Sequence, residues 1–112
     1  MERILLVEDE ESMRILIGDD LEDAGFKTEF AKHGSEALEK LKMNSIEGIV
    51  TDLVMSGMDG WQLCKTLREQ GCKLPIVVYT TLQDPDGLEN YANKVIKKSP
   101  DTSELINYLK SL

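Results

Sequence analysis

Three acids, a hydroxyl and an ammonium stand at the ends of short apolar runs, and together they form a set suited to phosphoryl chemistry. Asp52 follows the β-branched run Ile49-Val50-Thr51 and leads into Leu53-Val54-Met55-Ser56-Gly57-Met58-Asp59-Gly60, which puts a carboxylate where a buried strand gives way to a loop. Glu8-Asp9 closes Ile4-Leu5-Leu6-Val7 in the same way, Thr80-Thr81 closes Ile76-Val77-Val78-Tyr79, and Lys97-Lys98 ends the stretch that begins at Lys94. Crowded carboxylates disfavour joint ionisation unless a cation offsets their repulsion, and oxygen ligands with room for water suit Mg²⁺. A carboxylate beside such an ion can attack phosphorus in line while the ion and a lysine neutralise the phosphoryl oxygens, and the product is an aspartyl phosphate.

These side chains meet only if the runs lie side by side. Each apolar run is followed by apolar residues at helical spacing, the alternation of a parallel α/β sheet. After the first run, Met13, Leu16, Ile17, Leu21 and Ala24 fall on one helical face, and Gly25 offers a left-handed stop. Residues 26–31 alternate, with Phe26, Thr28 and Phe30 on one side, which predicts a peripheral strand. Gly34-Ser35 opens a second helix with Ala37, Leu38 and Leu41 inward. Asp59 and Gln62 read as a capping box for a third, with Leu63, Cys64 and Leu67 inward and Gly71 as its stop. Pro75 restarts the chain as the fourth strand. Asp84-Pro85 then predicts a short fourth helix carrying Leu88, Tyr91 and Ala92, weakened by Asp86 and Gly87. Residues 94–97 form the fifth strand, and Asp101 with Glu104 reads as a capping box before Leu105, Ile106, Leu109 and Leu112. In an open parallel sheet, ligands bind beyond the carboxyl ends of the strands, where the strand order reverses. That is where the acids, the hydroxyl and the ammonium are delivered.

With 112 residues the chain supports one hydrophobic core, and the expectation is a single domain over 1–112. Its 41% hydrophobic and 30% charged residues suit a folded domain rather than a disordered one. A net charge of -8 argues against direct binding of nucleic acid or of anionic lipid surfaces. No apolar stretch approaches the roughly 20 residues of a membrane span, and Met1-Glu2-Arg3 before the first strand lacks a signal-peptide pattern, so a cytoplasmic location is expected. Cys64 and Cys72 show no metal-type spacing and read as reduced thiols without a functional role. Five βα units account for nearly the whole length, which leaves no stretch for an output domain.

Residues 4–10, 52–60, 75–80 and Lys98, in this order, resemble the receiver domains of bacterial two-component response regulators, and the resemblance runs over essentially the whole chain. It implies a doubly wound α/β fold: a five-stranded parallel sheet, (βα)5, with strand order 2-1-3-4-5 and helices on both faces. It implies that Asp52 is phosphorylated, that Asp9 ligates Mg²⁺ directly with Asp52, that Glu8 holds a metal water, and that the Val54 carbonyl completes the protein ligands. Thr80 would hydrogen-bond the phosphoryl group and Lys98 would pair with it. The donor implied is a phosphohistidine on a sensor histidine kinase or a histidine phosphotransfer protein. The recipient would be a downstream effector protein or a C-terminal output domain outside these residues, and a phosphorylation-dependent homodimer is among the assemblies implied.

Departures from the family pattern carry their own expectations. Ser56 and Ser99 stand where prolines are usual, so the loop after Asp52 should be looser and the Lys98–Ser99 bond trans, since a cis bond before a non-proline costs roughly 3 to 4 kcal/mol. Val95 replaces the aromatic of the family's threonine-aromatic relay and has a stiff χ1 and no ring. Val54 and Leu82 hold the positions that tune phosphoryl hydrolysis; both are apolar, which predicts slow autodephosphorylation. Taken singly, Asp52 reads equally as a turn former, Thr80 as a strand residue and Lys98 as a surface charge. His33 reads as a solvated loop residue, and Trp61 as a partner anchor or, at least equally, as a partly buried packing residue. Rival readings of the whole are a degenerate receiver that binds partners regardless of phosphorylation, and a Mg²⁺-dependent phosphohydrolase, for which neither a second acid nor a substrate cap is found.

Overall fold

Alternation along the strands assigns each apolar side chain to one of two layers. The computed structural model describes residues 2–43 and 45–112; Met1, part of the opening tripeptide considered above, and Asn44 lie outside the described residues. In chain order the elements are β1 (Arg3–Val7), α1 (Glu11–Asp23), β2 (Lys27–Ala31), α2 (Gly34–Met43), β3 (Gly48–Thr51), α3 (Gly60–Glu69), β4 (Ile76–Thr80), β5 (Lys94–Lys97) and α4 (Ser103–Lys110). The strands form one parallel sheet in the order β2-β1-β3-β4-β5, as the resemblance implied, with Leu6 opposite Phe30 and Val50, and Thr80 opposite Lys97. Leu5, Val7, Ile49, Ile76 and Val78 point to the layer of α2 and α3, where Ala37, Leu63, Cys64 and Leu67 meet them. Ile4, Leu6, Val50, Val77, Tyr79 and Ile96 point the other way, onto Ile17 and Leu21 of α1 and Leu105 and Leu109 of α4. A period of two, with both faces covered, produces these two cores.

Helix ends follow the stop and start chemistry with two exceptions. Gly25 and Gly71 take positive φ after α1 and α3, and Asp59 accepts from the Gln62 N–H at 2.8 Å at the start of α3. At α4, however, Asp101 accepts from the N–H of Ser103 at 2.9 Å rather than from Glu104, and Thr102 precedes the helix. The Thr102 hydroxyl donates instead to Asp20 at 2.8 Å and ties α4 to α1. His33 is half-buried, not solvated: its Nδ1 accepts from the Glu36 N–H at 3.3 Å, while Glu36 accepts from Lys32 N at 2.6 Å, a reciprocal cap on α2.

Three further expectations are corrected. Leu16 is 46% exposed although it lies among apolar neighbours, because α1 is rotated to lay Gly18 against the ring of Phe30. A Cβ on Gly18 would stand 2.7 Å from that ring, so the buried line runs through Ile17, Gly18 and Leu21. Leu112 is likewise exposed, beyond the end of α4. The fourth helix expected over 84–92 does not form, which leaves four helices among the described residues. Asp84 (φ 44°) and Gly87 (φ 78°) are both left-handed, and a right-handed helix accommodates neither. Among the described residues no peptide bond is cis, Lys98–Ser99 included.

Candidate functional site

The carboxyl ends of β1, β3 and β4 and the residue after β5 meet at one edge of the sheet. Asp52 is placed by its backbone: its N–H donates to Val7 O at 3.2 Å and its carbonyl accepts from the Thr51 hydroxyl at 2.8 Å. The next turn closes over it, with Gly60 N donating to Leu53 O at 2.8 Å. Only glycine fits at 60, since a Cβ there would stand 2.2 Å from Asp52 O and 2.7 Å from Leu53 Cα. The Asp52 carboxylate accepts from Leu53 N at 2.7 Å through Oδ1 and from Lys98 Nζ at 2.8 Å through Oδ2.

Lys98 bridges two acids. Its Nζ also lies 2.5 Å from Glu8 Oε1, and the three side chains are 8%, 13% and 3% exposed for Lys98, Asp52 and Glu8. Burial pulls the Lys98 ammonium down, but hydrogen bonds and charge from Asp52 and Glu8 outweigh it and hold its pKa above 10.5. Glu8 is fixed in turn: its N–H donates to Ala31 O at 3.0 Å, its Oε2 accepts from Glu10 N at 3.1 Å, and its carbonyl accepts from Arg14 Nη1 at 3.1 Å. Lys98 is anchored through its own N–H, which donates to Thr80 O at 2.7 Å. Thr80 is buried, and its hydroxyl accepts from Leu82 N at 3.3 Å.

Of the other residues singled out in the sequence, Asp9 is exposed at the rim, with Oδ2 3.4 Å from Ser56 N, a donor that proline would lack. Val54 is 61% exposed beside the site, Leu82 is half-buried, Val95 is 38% exposed on β5, and Lys97 is exposed. Trp61 is half-buried against the α2/α3 core, and its indole N–H donates to Asp86 O at 2.7 Å. Arg14 and Gly60 were not anticipated. A partly buried arginine in the first turns of a helix opposes the dipole, and that was its available signal.

The sequence profile of the response regulator receiver domain matches residues 4–110. The chain belongs to this receiver family. Response regulator MprA of Mycobacterium sp. (strain KMS) is 32% identical over 114 residues, covering 98% of this chain and 50% of its own length. The receiver thus spans about half the length of the curated relatives it matches. Among solved structures, the response regulator protein TrrA from Thermotoga maritima in complex with Mg²⁺-BeF superimposes with a TM-score of 0.93 at 27% identity, covering 99% of this chain and 98% of that one. The same regulator in complex with the histidine kinase ThkA gives a TM-score of 0.90 at 27% identity over 99% and 97% of the two chains.

The receiver's donor set fits a hard dication in type. The side chains are oxygen donors, and Glu8 and Asp52 face a single ammonium, which leaves an excess of negative charge. Among the described residues no three acid, histidine or cysteine side chains are gathered into a ready cage; Lys98 lies between Glu8 and Asp52, and the exposed Asp9 lies toward Ser56 N. Among the described residues, no helix is long and apolar enough to cross a membrane.

Proposed function

We propose that this receiver takes a phosphoryl group from a phosphohistidine, on a sensor histidine kinase or a phosphotransfer protein, onto Asp52. The observation that carries the reading is Lys98 Nζ between Asp52 Oδ2 and Glu8 Oε1, which keeps one carboxylate oxygen paired with a cation at the strand ends. The Asp52 oxygen attacks phosphorus, the P–O bond forms as the P–N bond breaks, and the histidine ring nitrogen leaves with the bonding pair. Lys98 follows the charge from the carboxylate to a phosphoryl oxygen, and the Thr80 hydroxyl donates to another. Asp9, Asp52, the Val54 carbonyl and Glu8 through a water would hold Mg²⁺, which when bound supplies charge neutralisation of the phosphoryl oxygens. The kinase-bound relative supports a histidine kinase as the donor class, and the Mg²⁺-BeF relative supports the metal.

Neither Val54, exposed at 61%, nor Leu82 can hydrogen-bond a water into line, so the acyl phosphate decays slowly and the signal persists. Incubation with a small acyl-phosphate donor and Mg²⁺ labels the wild type, and Asp52→Asn abolishes the labelling. Equal labelling of the variant would refute the assignment and would favour a phosphorylation-independent binding module.

A further inference from the structure

Strand β4 holds the β5–α4 connection at two successive residues, and only the first of these contacts belongs to the site described above. Thr80 O takes the Lys98 N–H at 2.7 Å. One residue earlier, Tyr79 turns to the opposite layer of the sheet, where it is 2% exposed in the cluster of Val77, Ile96, Leu105 and Leu109. The other buried strand positions of that layer on β1, β3, β4 and β5 are aliphatic, so Tyr79 alone among them brings a hydroxyl, which needs a partner once buried.

The partner is the main chain of Ser99. The Tyr79 hydroxyl donates to Ser99 O at 3.2 Å and accepts from Ser99 N at 3.4 Å, two roles that one phenol can fill at once. A proline at 99 would have no N–H to offer, so the serine and the tyrosine complement each other. Two further constraints act on Ser99: its Oγ accepts from Asp101 N at 3.1 Å, and Pro100 biases it toward extended backbone. Burial is the largest effect on the Tyr79 phenol and raises its pKa above the ordinary value, so at neutral pH the hydroxyl keeps the proton it donates.

Lys98 is therefore held from both sides, by Thr80 through its own N–H and by Tyr79 through the next residue. What remains free is the side chain, which carries Nζ to 2.8 Å from Asp52 Oδ2 and 2.5 Å from Glu8 Oε1. A lysine stem has many rotamers, and delivering its ammonium to one chosen oxygen requires a fixed origin. We propose that Tyr79 is a positioning residue for phosphoryl transfer: its phenol clamps the Ser99 main chain and so fixes the point from which Lys98 reaches Asp52 and then the phosphoryl group. The clamp rests on the phosphoacceptor role proposed above for Asp52.

Tyr79→Phe keeps the ring and deletes both bonds to Ser99. Ile96→Val, opposite Tyr79 in the strand register and in the same layer, is the control that loosens packing and leaves the hydroxyl in place. Labelling with a small acyl-phosphate donor and Mg²⁺ is followed across donor concentrations, and hydrogen exchange of the Lys98 amide is read in the same proteins without donor. In Tyr79→Phe the maximal labelling rate falls roughly threefold to tenfold while the half-saturating donor concentration stays within about twofold. The Lys98 amide of that variant exchanges roughly fivefold faster. Ile96→Val labels at the maximal rate of the wild type. A Tyr79→Phe rate equal to the wild type's, an unchanged Lys98 exchange, or an Ile96→Val rate lowered as far as that of Tyr79→Phe would overturn the clamp and leave the receiver reading standing. Asp52→Asn labelled like the wild type would bring down both.

Discussion

Replacing Lys98 with methionine keeps the length of the stem and deletes the ammonium. Two carboxylates, 3% and 13% exposed, then face each other's charge without the partner that stood 2.5 and 2.8 Å away. Breaking a buried ion pair from one side costs ~3 to 5 kcal/mol, and the slight exposure of Asp52 places this case at the lower end, about 3 kcal/mol at neutral pH. Against a typical total of roughly 5 to 15 kcal/mol this is large. For a urea m-value near 2 kcal/mol/M it moves the unfolding midpoint down by about 1.5 M.

The same experiment with Mg²⁺ separates pairing from packing. With the ammonium gone, Mg²⁺ becomes the cation that relieves the acids, so it stabilises Lys98→Met, by about 2.7 kcal/mol at a hundredfold excess over its Kd, and stabilises the wild type less. The pH dependence follows from the raised Lys98 pKa: its contribution is fully present below the unfolded value of 10.5 and is lost as pH climbs through the higher folded value. Above pH 10.5 the wild type therefore loses an increment of stability that the variant never had. A variant as stable as the wild type in chelator, or an equal response of the two proteins to Mg²⁺, would refute the reasoning.

Val54→Asn puts a hydrogen-bonding amide at the 61% exposed position beside Asp52 and speeds acyl-phosphate decay, by up to about tenfold if one bond to the attacking water is gained in the transition state; an unchanged or slower decay sinks this account. Gly60→Ala drives a methyl against Asp52 O and Leu53 Cα, both backbone, and costs ~1 to 3 kcal/mol in chemical unfolding while slowing labelling of Asp52; a variant that folds and labels normally would contradict the close approach. Arg68→Ala removes donors to Tyr91 O, Cys72 O, Leu74 O and Asn93 Oδ1 and lowers stability by about 2 to 4 kcal/mol, and an unshifted midpoint would show that the staple is idle.

The strand ends were readable because each is an apolar run stopped by a polar residue, and a parallel sheet brings such stops to one edge. Glu8, Asp52, Thr80 and Lys98 were found in this way before any coordinate was needed. Contacts through space were not readable. That position 60 admits no Cβ depends on where the Asp52 carbonyl points, and that Arg14 reaches Glu8 O depends on the angle of α1. The face of α1 was ambiguous for a physical reason: Met13, Ile15, Leu16, Ile17 and Leu21 allow more than one apolar stripe, and the fit of Gly18 against Phe30 decides between them.

The missing helix is the instructive failure. Asp84-Pro85 has the local chemistry of a helix start, yet a start propagates only if the following turn can bury an apolar face, and here Gly87 weakens that turn before Leu88 supplies one. Leu88 instead drops directly into the core, and Arg68 donates to the Tyr91 carbonyl near the end of the segment. With no helix packed over the Val95 face of β5, Val95 is left 38% exposed, and Thr80 has neither an aromatic side chain nor a helix on that side. What Thr80 does touch is Leu82 N, and from there the chain runs through the left-handed Asp84 to Asp86, whose carbonyl accepts from the Trp61 indole.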